Sequence, residues 1–217
     1  MNPSELLVRQ LAQMNIHLSR GVIDTLISFM DELLRWNRRI NLTAITDPRE
    51  AVEKHLVDSL TLLTLLTGDE RVLDLGSGGG FPCIPLKIVL PRLRILSVDA
   101  VQKKIVFQRH AARLLGFDHF EAFHGRAEDL PQIPTYAAGF DVVLSRAFTS
   151  LPSFAALAKP CLASGGRIVA MKGAEGEREL AQAQLQIEAL SLQCREMSRL
   201  RLPDSGAERI LMVFMEK

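Results

Sequence analysis

Apolar positions in the first third of the chain recur every three to four residues. Ser4 to Met14 is a short amphipathic stretch, and Ile23, Leu26, Ile27, Met30, Leu33 and Leu34 mark one face of a helix running to Trp36. The polar run from Asn37 to Thr43 then reads as a loop. Asp47-Pro48-Arg49-Glu50 has the pattern of a helix start, in which Asp caps the free amides, Pro suits the first turn and Glu follows three residues after the cap. That helix is expected to pass His55 and Asp58 and end among leucines at Leu66, with Gly68 as its stop.

From Arg71 short apolar runs alternate with helical stretches. Strands are expected at Val72–Leu75, Arg94–Asp99, Phe120–Phe123, Phe140–Leu144 and Arg167–Met171. Helices are expected after the first strand up to Leu90, from Val101 to Leu115, around Phe154–Leu162 and from Glu177 to about Leu190. Two closing strands, near Leu192–Leu202 and Ile210–Met215, flank a Pro-Asp-Ser-Gly turn. This alternation predicts an α/β fold with a mostly parallel, doubly wound sheet, into which the last hairpin sends an antiparallel strand. Residues 1–67 are expected as an N-terminal helical extension and 68–217 as the sheet domain.

Composition narrows the class. The 217 residues are 47% apolar and 24% charged, enough to bury a sizeable core. A net charge of +1 excludes an overall electrostatic grip on nucleic acid or an anionic membrane, so any such grip must be a local patch. Cys83, Cys161 and Cys194 are far apart and odd in number, a pattern of buried thiols rather than a disulfide framework or zinc site, and the histidines show no metal-ligand spacing. No apolar run reaches the roughly 18 residues that span a bilayer. The opening Met-Asn-Pro-Ser-Glu lacks a signal-peptide pattern, so a cytoplasmic protein without bound metal is expected.

The sharpest chemical signal is Leu73-Asp74-Leu75-Gly76-Ser77-Gly78-Gly79-Gly80-Phe81-Pro82. Glycines directly after a first strand let the backbone turn tightly and approach a ligand, and the next helix offers its amides to an anionic group. Asp99 ends the second strand, where a carboxylate can accept hydrogen bonds from ribose hydroxyls. Together they point to a nucleoside-bearing cofactor. The dinucleotide pattern G-x-G-x-x-G fails from Gly76, where Phe81 takes the last place, and from Gly78 it fails only at Cys83. No Gly-Lys-Ser/Thr follows, which excludes a P-loop. Asp74 and the compact G-x-G-x-G are closer to the S-adenosylmethionine loop of Rossmann-like class I methyltransferases. Glu128 or Asp129, after the third strand, could accept from an adenine amino group.

After the fourth strand comes Ser145-Arg146-Ala147-Phe148, in place of the Asn/Asp-Pro-Pro-aromatic tetrapeptide of amino-directed nucleic-acid methyltransferases. Cys161 falls a helix later than a pyrimidine-carbon nucleophile would and is expected to be packing. Arg146, at the mouth of the crevice, is a candidate donor to a base edge, phosphate or carboxylate. Arg35, Arg38 and Arg39 cluster beside Trp36; separately, residues 92–113 hold six Lys/Arg, among them Lys103, Lys104, Arg109 and Arg113 near His110, against the single acid Asp99, and that segment is the candidate phosphate-facing patch. A small-molecule methyltransferase, a non-catalytic RNA- or nucleotide-binding regulator and a dehydrogenase remain open on these residues alone.

Five motifs in order then carry a resemblance: Trp36-Asn37 with Asn41-Leu42-Thr43, Lys54-His55-Leu56-Val57-Asp58-Ser59-Leu60, the glycine loop, Ser145-Arg146-Ala147-Phe148, and Lys172-Gly173. Over nearly its whole length the chain resembles the bacterial 16S ribosomal RNA guanine-N7 methyltransferases, the glucose-inhibited division protein B family. The resemblance implies methyl transfer from S-adenosylmethionine to one guanine of 16S rRNA, with the RNA or the small ribosomal subunit as partner; a monomer is the expected state. Carried over by motif, Gly76 and Phe81 are cofactor contacts, Asp99 the ribose-binding acid, Ala127 and Glu128 the pair flanking adenine, and Arg146 the arginine after the fourth strand, a candidate for positioning the substrate with Lys172 behind it. Cys83 departs from the family's glycine. Guanine N7 carries a lone pair and loses no proton on attack, so neither a general base nor a covalent nucleophile is required; alignment is the task.

Overall fold

A computed structural model describes residues 2–136, 139–146 and 149–217. Helix α1 (Pro3–Gln13) opens on a capping box between Asn2 and Glu5. Helix α2 (Arg20–Ile40) runs past Trp36, where the sequence pattern ended it. The reason is Asn37: it is buried in the last turn, and its Oδ1 accepts from the amides of Leu42 (2.6 Å) and Thr43 (2.9 Å) while its Nδ2 donates to the Thr43 carbonyl (2.9 Å). One side chain thus caps the helix and fixes the loop.

The next helix starts where expected, with Asp47 accepting from the Glu50 amide. It is not one regular helix. α3 (Pro48–Ala51) passes into a π turn (Val52–Val57), then α4 (Asp58–Leu60) and a 3-10 turn (Thr61–Leu65). Val52, Glu53, His55, Leu56, Val57 and Asp58 are all buried, so this widened turn is enclosed except where Lys54 reaches solvent.

The sheet follows: β1 (Arg71–Leu75), α5 (Cys83–Val89), β2 (Arg94–Asp99), α6 (Gln102–Leu114), β3 (Phe120–His124), β4 (Phe140–Arg146), α7 (Leu151–Ala158), β5 (Leu162–Lys172), α8 (Gly176–Ala189), β6 (Leu192–Arg201) and β7 (Glu208–Glu216). Its order is β3-β2-β1-β4-β5-β7-β6, with β7 antiparallel to both β5 and β6. The expected antiparallel insertion is therefore present. The long β5 begins earlier than its apolar run, at a register shift opposite Phe140/Val142.

Strand residues alternate between two cores. Val72, Ile95, Val142, Leu144, Val169, Leu211 and Val213 share one with α1, α2, the 48–65 segment, α5 and α6. Leu73, Leu75, Val98, Val143, Ile168, Met212 and Phe214 share the other with α7 and α8. Period-two burial on both faces explains why these strands read as continuous apolar runs. Cys161 lies in the second core with no exposed surface, as a packing residue should. The strand order reverses between β1 and β4, and a crevice opens there at their carboxyl ends.

Candidate functional site

The glycine loop joins the tips of β1 and β2. The amides of Gly76 and Ser77 both donate to the Val98 carbonyl (2.9 and 3.2 Å), and the Gly78 amide donates to Asp99 Oδ2 (2.9 Å). Gly78 (φ 59°) and Gly80 (φ 94°) hold left-handed backbone, and a Cβ at Gly80 would run into the Ile84 side chain. Beneath the loop, Gln108 Nε2 donates to Ser77 Oγ and to the Gly78 carbonyl (both 2.8 Å), with Ser97 completing a fully buried polar network. The loop is thereby preorganised by groups that a short motif does not reveal.

A cavity of about 500 Å³ opens above it. Gly76, Phe81 and Arg146 line it, as expected of them, and so do His55, Asp58 and Arg209, to which the sequence reading gave no role. Phe81 is only 3% exposed: its ring stacks on His55 (centroids 4.4 Å, planes 14° apart) and meets Phe29 at 5.4 Å, leaving mainly its backbone to face the cavity. Burial, reinforced by the Arg146 charge, pushes the His55 imidazole down to about 3, so it is neutral at physiological pH. Its Nε2 lies 3.0 Å from Thr43 Oγ1, tying the glycine loop to the loop after α2.

Asp58 is 2% exposed and holds two guanidiniums. Its Oδ2 accepts from Arg146 Nη1 (3.1 Å) and its Oδ1 from Arg209 Nε (2.7 Å). Arg146 Nη1 also donates to the Lys54 carbonyl (2.7 Å). The end of β4 and the start of β7 are thus latched to the N-terminal helices, and among the described residues Arg146 Nε and Nη2 have no hydrogen-bond partner. Lys172 also lines the cavity, but its Nζ is engaged by the Thr149 carbonyl (2.9 Å) and by Glu179 (3.0 Å). Ala147 and Phe148 lie outside the described residues.

Asp99, Ala127 and Glu128 do not line this cavity. Asp99 sits one step away across the Gly78 bond, with Oδ1 accepting from the Val101 amide (2.8 Å) and Lys104 Nζ 3.9 Å from Oδ2. Ala127 is buried and Glu128 exposed at the start of a 3-10 turn (Ala127–Gln132) beyond β3, whose His124 pairs in register with Asp99. The residues that the resemblance assigns to sugar and adenine therefore follow the tips of β2 and β3, while the cavity lies over β1, β4 and the N-terminal helices.

The expected patch on α6 is corrected in part. His110 does not face a phosphate: its Nε2 lies 2.6 Å from Glu32 and its ring packs on Trp36 at 4.8 Å. Arg109 Nε is taken by the Ala122 carbonyl, and Arg35 by Glu32. The partners of His110 and Arg109 come from other elements, which helical periodicity cannot see, whereas Glu32 lies three residues before Arg35 on the same helix.

Asp74 is fully buried at the end of β1, accepting from the Cys83 amide through Oδ2 (3.2 Å) with Oδ1 unpartnered. Burial raises it to about 7. The folded carboxyl thus holds its proton between its ordinary 3.8 and about 7 while the unfolded one has lost it, so folding stability falls as pH rises through that window. Asp74→Asn, which keeps an acceptor for Cys83 but carries no charge, should remove that slope, which is worth up to about 4 kcal/mol at 1.36 kcal/mol per unit. Thermal unfolding at pH 5 and pH 8 checks it: the variant should gain on the parent at pH 8, and an equal pH response in both proteins contradicts the assignment.

A parallel sheet reversing at β1/β4, a backbone cradle and a carboxylate beyond the second strand define the Rossmann-like methyltransferase class. Among solved structures, fibrillarin from Aeropyrum pernix in complex with natively bound S-adenosyl-L-methionine matches with a TM-score of 0.58 over 74% of each chain at 15% identity, a likeness of fold. The family described as GidB, rRNA small subunit methyltransferase G, matches residues 22–206. Ribosomal RNA small subunit methyltransferase G from Geobacter sp. (strain M21) is 51% identical over 209 residues, 96% of this chain and 95% of that one. Its namesake from Syntrophotalea carbinolica is 49% identical over 207 residues, 95% of each. The chain belongs to the rRNA small subunit methyltransferase G family.

Proposed function

We propose that the protein transfers a methyl group from S-adenosylmethionine to N7 of one guanine in 16S ribosomal RNA. The observation that carries this reading is the chemistry of the cavity wall. Of its two candidate proton acceptors, His55 is a weak base, pushed down to about 3 by burial and the Arg146 charge, and Asp58 is committed to two arginines. A wall without a poised base suits a nucleophile that gives up no proton, and N7 is such a nucleophile.

The residues present fit the donor. Gly76, Gly78 and Gly79 present bare backbone to the cavity, and Asp99, bonded to the Gly78 amide, is the carboxylate assigned to the ribose. When bound, the donor supplies an electrophilic methyl whose bond to a positively charged sulfur breaks as the new bond to nitrogen forms, the electron pair returning to sulfur. The chain's part is alignment and exclusion of water. Arg146, with Nη1 fixed by Lys54 and Asp58, offers Nε and Nη2 to guanine O6 and leaves N7 unencumbered. Ala127 and Glu128 flank the adenine. Residues 1–67 act as an acceptor-facing extension of the cofactor-binding domain 68–217. The acceptor is 16S rRNA or the small subunit, met by a monomer in the cytoplasm; among the described residues no helix is long and apolar enough to cross a membrane.

Labelled methyl transfer to small subunits from cells lacking the protein, followed by nucleoside analysis, tests this. Label confined to 7-methylguanosine is expected. Label on any other nucleoside, or on none, overturns it.

A further inference from the structure

Two further depressions lead away from the cavity in sequence. A groove of about 790 Å³ shares Leu42 and Thr43 with it and carries Arg38 and Lys104 on its walls. A shelf of about 490 Å³ shares Arg38 with that groove and adds Arg35, Trp36 and Arg39. From the methyl-transfer cavity to the end of α2, the three lie side by side along one band of surface.

The charge along this band differs from that on the rest of the rim. Arg209 is paired with Asp58, Lys172 with Glu179 and Lys54 with Glu50, so those cations are already compensated. Arg38 and Arg39 are exposed and have no carboxylate partner among the described residues. Lys104 lies 3.9 Å from Asp99, which two backbone amides already serve. The acids nearest the band are Glu32, neutralised by Arg35 and bonded by Trp36, Asp99 beside Lys104, and the exposed Asp31 and Asp47, the latter capping the helix at Pro48. With Arg35 paired to Glu32 and Lys104 to Asp99, Arg38 and Arg39 are the band's uncompensated cations among the described residues.

The band is also rigid. Asn37 pins Leu42 and Thr43 with three hydrogen bonds, Asn41 turns the chain in left-handed backbone (φ 44°), and Thr43 Oγ1 accepts from the Ile45 amide (3.1 Å). A preformed cationic channel loses little order when it takes up a polyanion.

Building on the RNA-methylating reading, we infer that this band is the exit track for single-stranded RNA on one side of the methylated guanine, with Arg38 and Arg39 each meeting a backbone phosphate. A base presented to the cavity must be splayed from its strand, and the adjoining phosphates then need a cationic rim to follow. The contacts are to the backbone, so the track adds affinity and register rather than base choice.

The test is an Arg38→Ala/Arg39→Ala double variant, with Arg38→Lys/Arg39→Lys beside it. Both sites are exposed, and binding of S-adenosylhomocysteine by calorimetry should match the parent. The probe is a short single-stranded RNA carrying the target guanine, titrated between about 50 and 200 mM KCl. Each lost phosphate contact removes about 0.7 from the slope of log K against log salt, so the alanine pair should flatten it by about 1.4 and weaken binding roughly tenfold or more. The lysine pair should restore most of the slope. An unchanged slope overturns the track. So does loss of methylation confined to assembled subunits with RNA affinity intact, which would mark the band as a contact for a protein of the particle. Failure of the parent to methylate rRNA at all would instead remove the underlying reading, and the two failures are separately visible.

Discussion

Asp58→Ala is expected to abolish methyl transfer and to lower the melting temperature by roughly 6–12 °C. Asp58 is 2% exposed and its two partners, Arg146 and Arg209, each keep only 21% of their side-chain surface. Removing the shared carboxylate leaves two partly enclosed guanidiniums facing one another without compensation. Breaking a buried pair in this way costs about 3–5 kcal/mol, and the residual exposure of both arginines places this case near the lower end. At about 2–4 °C per kcal/mol for a chain of this size, about 3 kcal/mol gives the stated shift. The catalytic loss has a separate origin. Asp58 fixes Nη1 of Arg146 and so decides where Nε and Nη2 point; if Arg146 positions the guanine as proposed, a fall of at least about 100-fold in single-turnover rate is expected, as misplacement of about 1 Å can bring. Asp58→Asn should retain part of the fold stability, because the amide oxygen still accepts, but not the fixed pair geometry. Turnover of the alanine variant within twofold of the parent would show that the latch has no part in alignment.

Much of the scaffold was legible because its signals are local. The glycine loop, Asp99 at the end of β2 and the capping Asp47 each follow from residues within a few positions of one another, and β2 falls on the expected Arg94–Asp99. The resemblance carried by the five motifs agrees with the family match over residues 22–206. What stayed hidden depends on distant partners. His110 sits on the polar side of α6 by periodicity, yet Glu32 and Trp36 arrive from α2 and absorb it. Arg209 begins a closing strand and has no local mark of function; only the sheet order β5-β7-β6 carries it to the cavity. Asp58 did leave a trace, as a carboxylate inside a segment where Val57 and Leu60 have no exposed surface. A charge in so apolar a stretch must be paired, but its partners lie 88 and 151 positions away. The π turn had no sequence mark that the 3.6-residue period could report.

Asp99→Ala should weaken cofactor binding by about 150-fold to 20,000-fold with the sheet intact. In this structure both carboxylate oxygens already serve the main chain, Oδ2 from Gly78 and Oδ1 from Val101. An ionised carboxylate has about four acceptor positions, so two remain for ribose hydroxyls while the loop keeps its shape. Hydrogen bonds to a charged group contribute about 1.5–3 kcal/mol each, and two of them give about 3–6 kcal/mol, the span quoted. The alanine change also frees the Gly78 amide, so shape and charge must be separated. Asp99→Asn does this: its amide oxygen can still accept from Gly78, but it has one acceptor oxygen in place of two and no charge. If the sugar is held here, the asparagine variant loses affinity for S-adenosylhomocysteine by tens of fold in calorimetry while its melting temperature stays within a few degrees of the parent. Affinity within threefold of the parent in both variants would place the sugar elsewhere on the rim and leave Asp99 a brace for the Gly78 turn alone. The glycine cradle would then be the sole fixed point of the cofactor, and the assignments of Ala127 and Glu128 to the adenine, which depend on the sugar lying between β2 and β3, would fall with it.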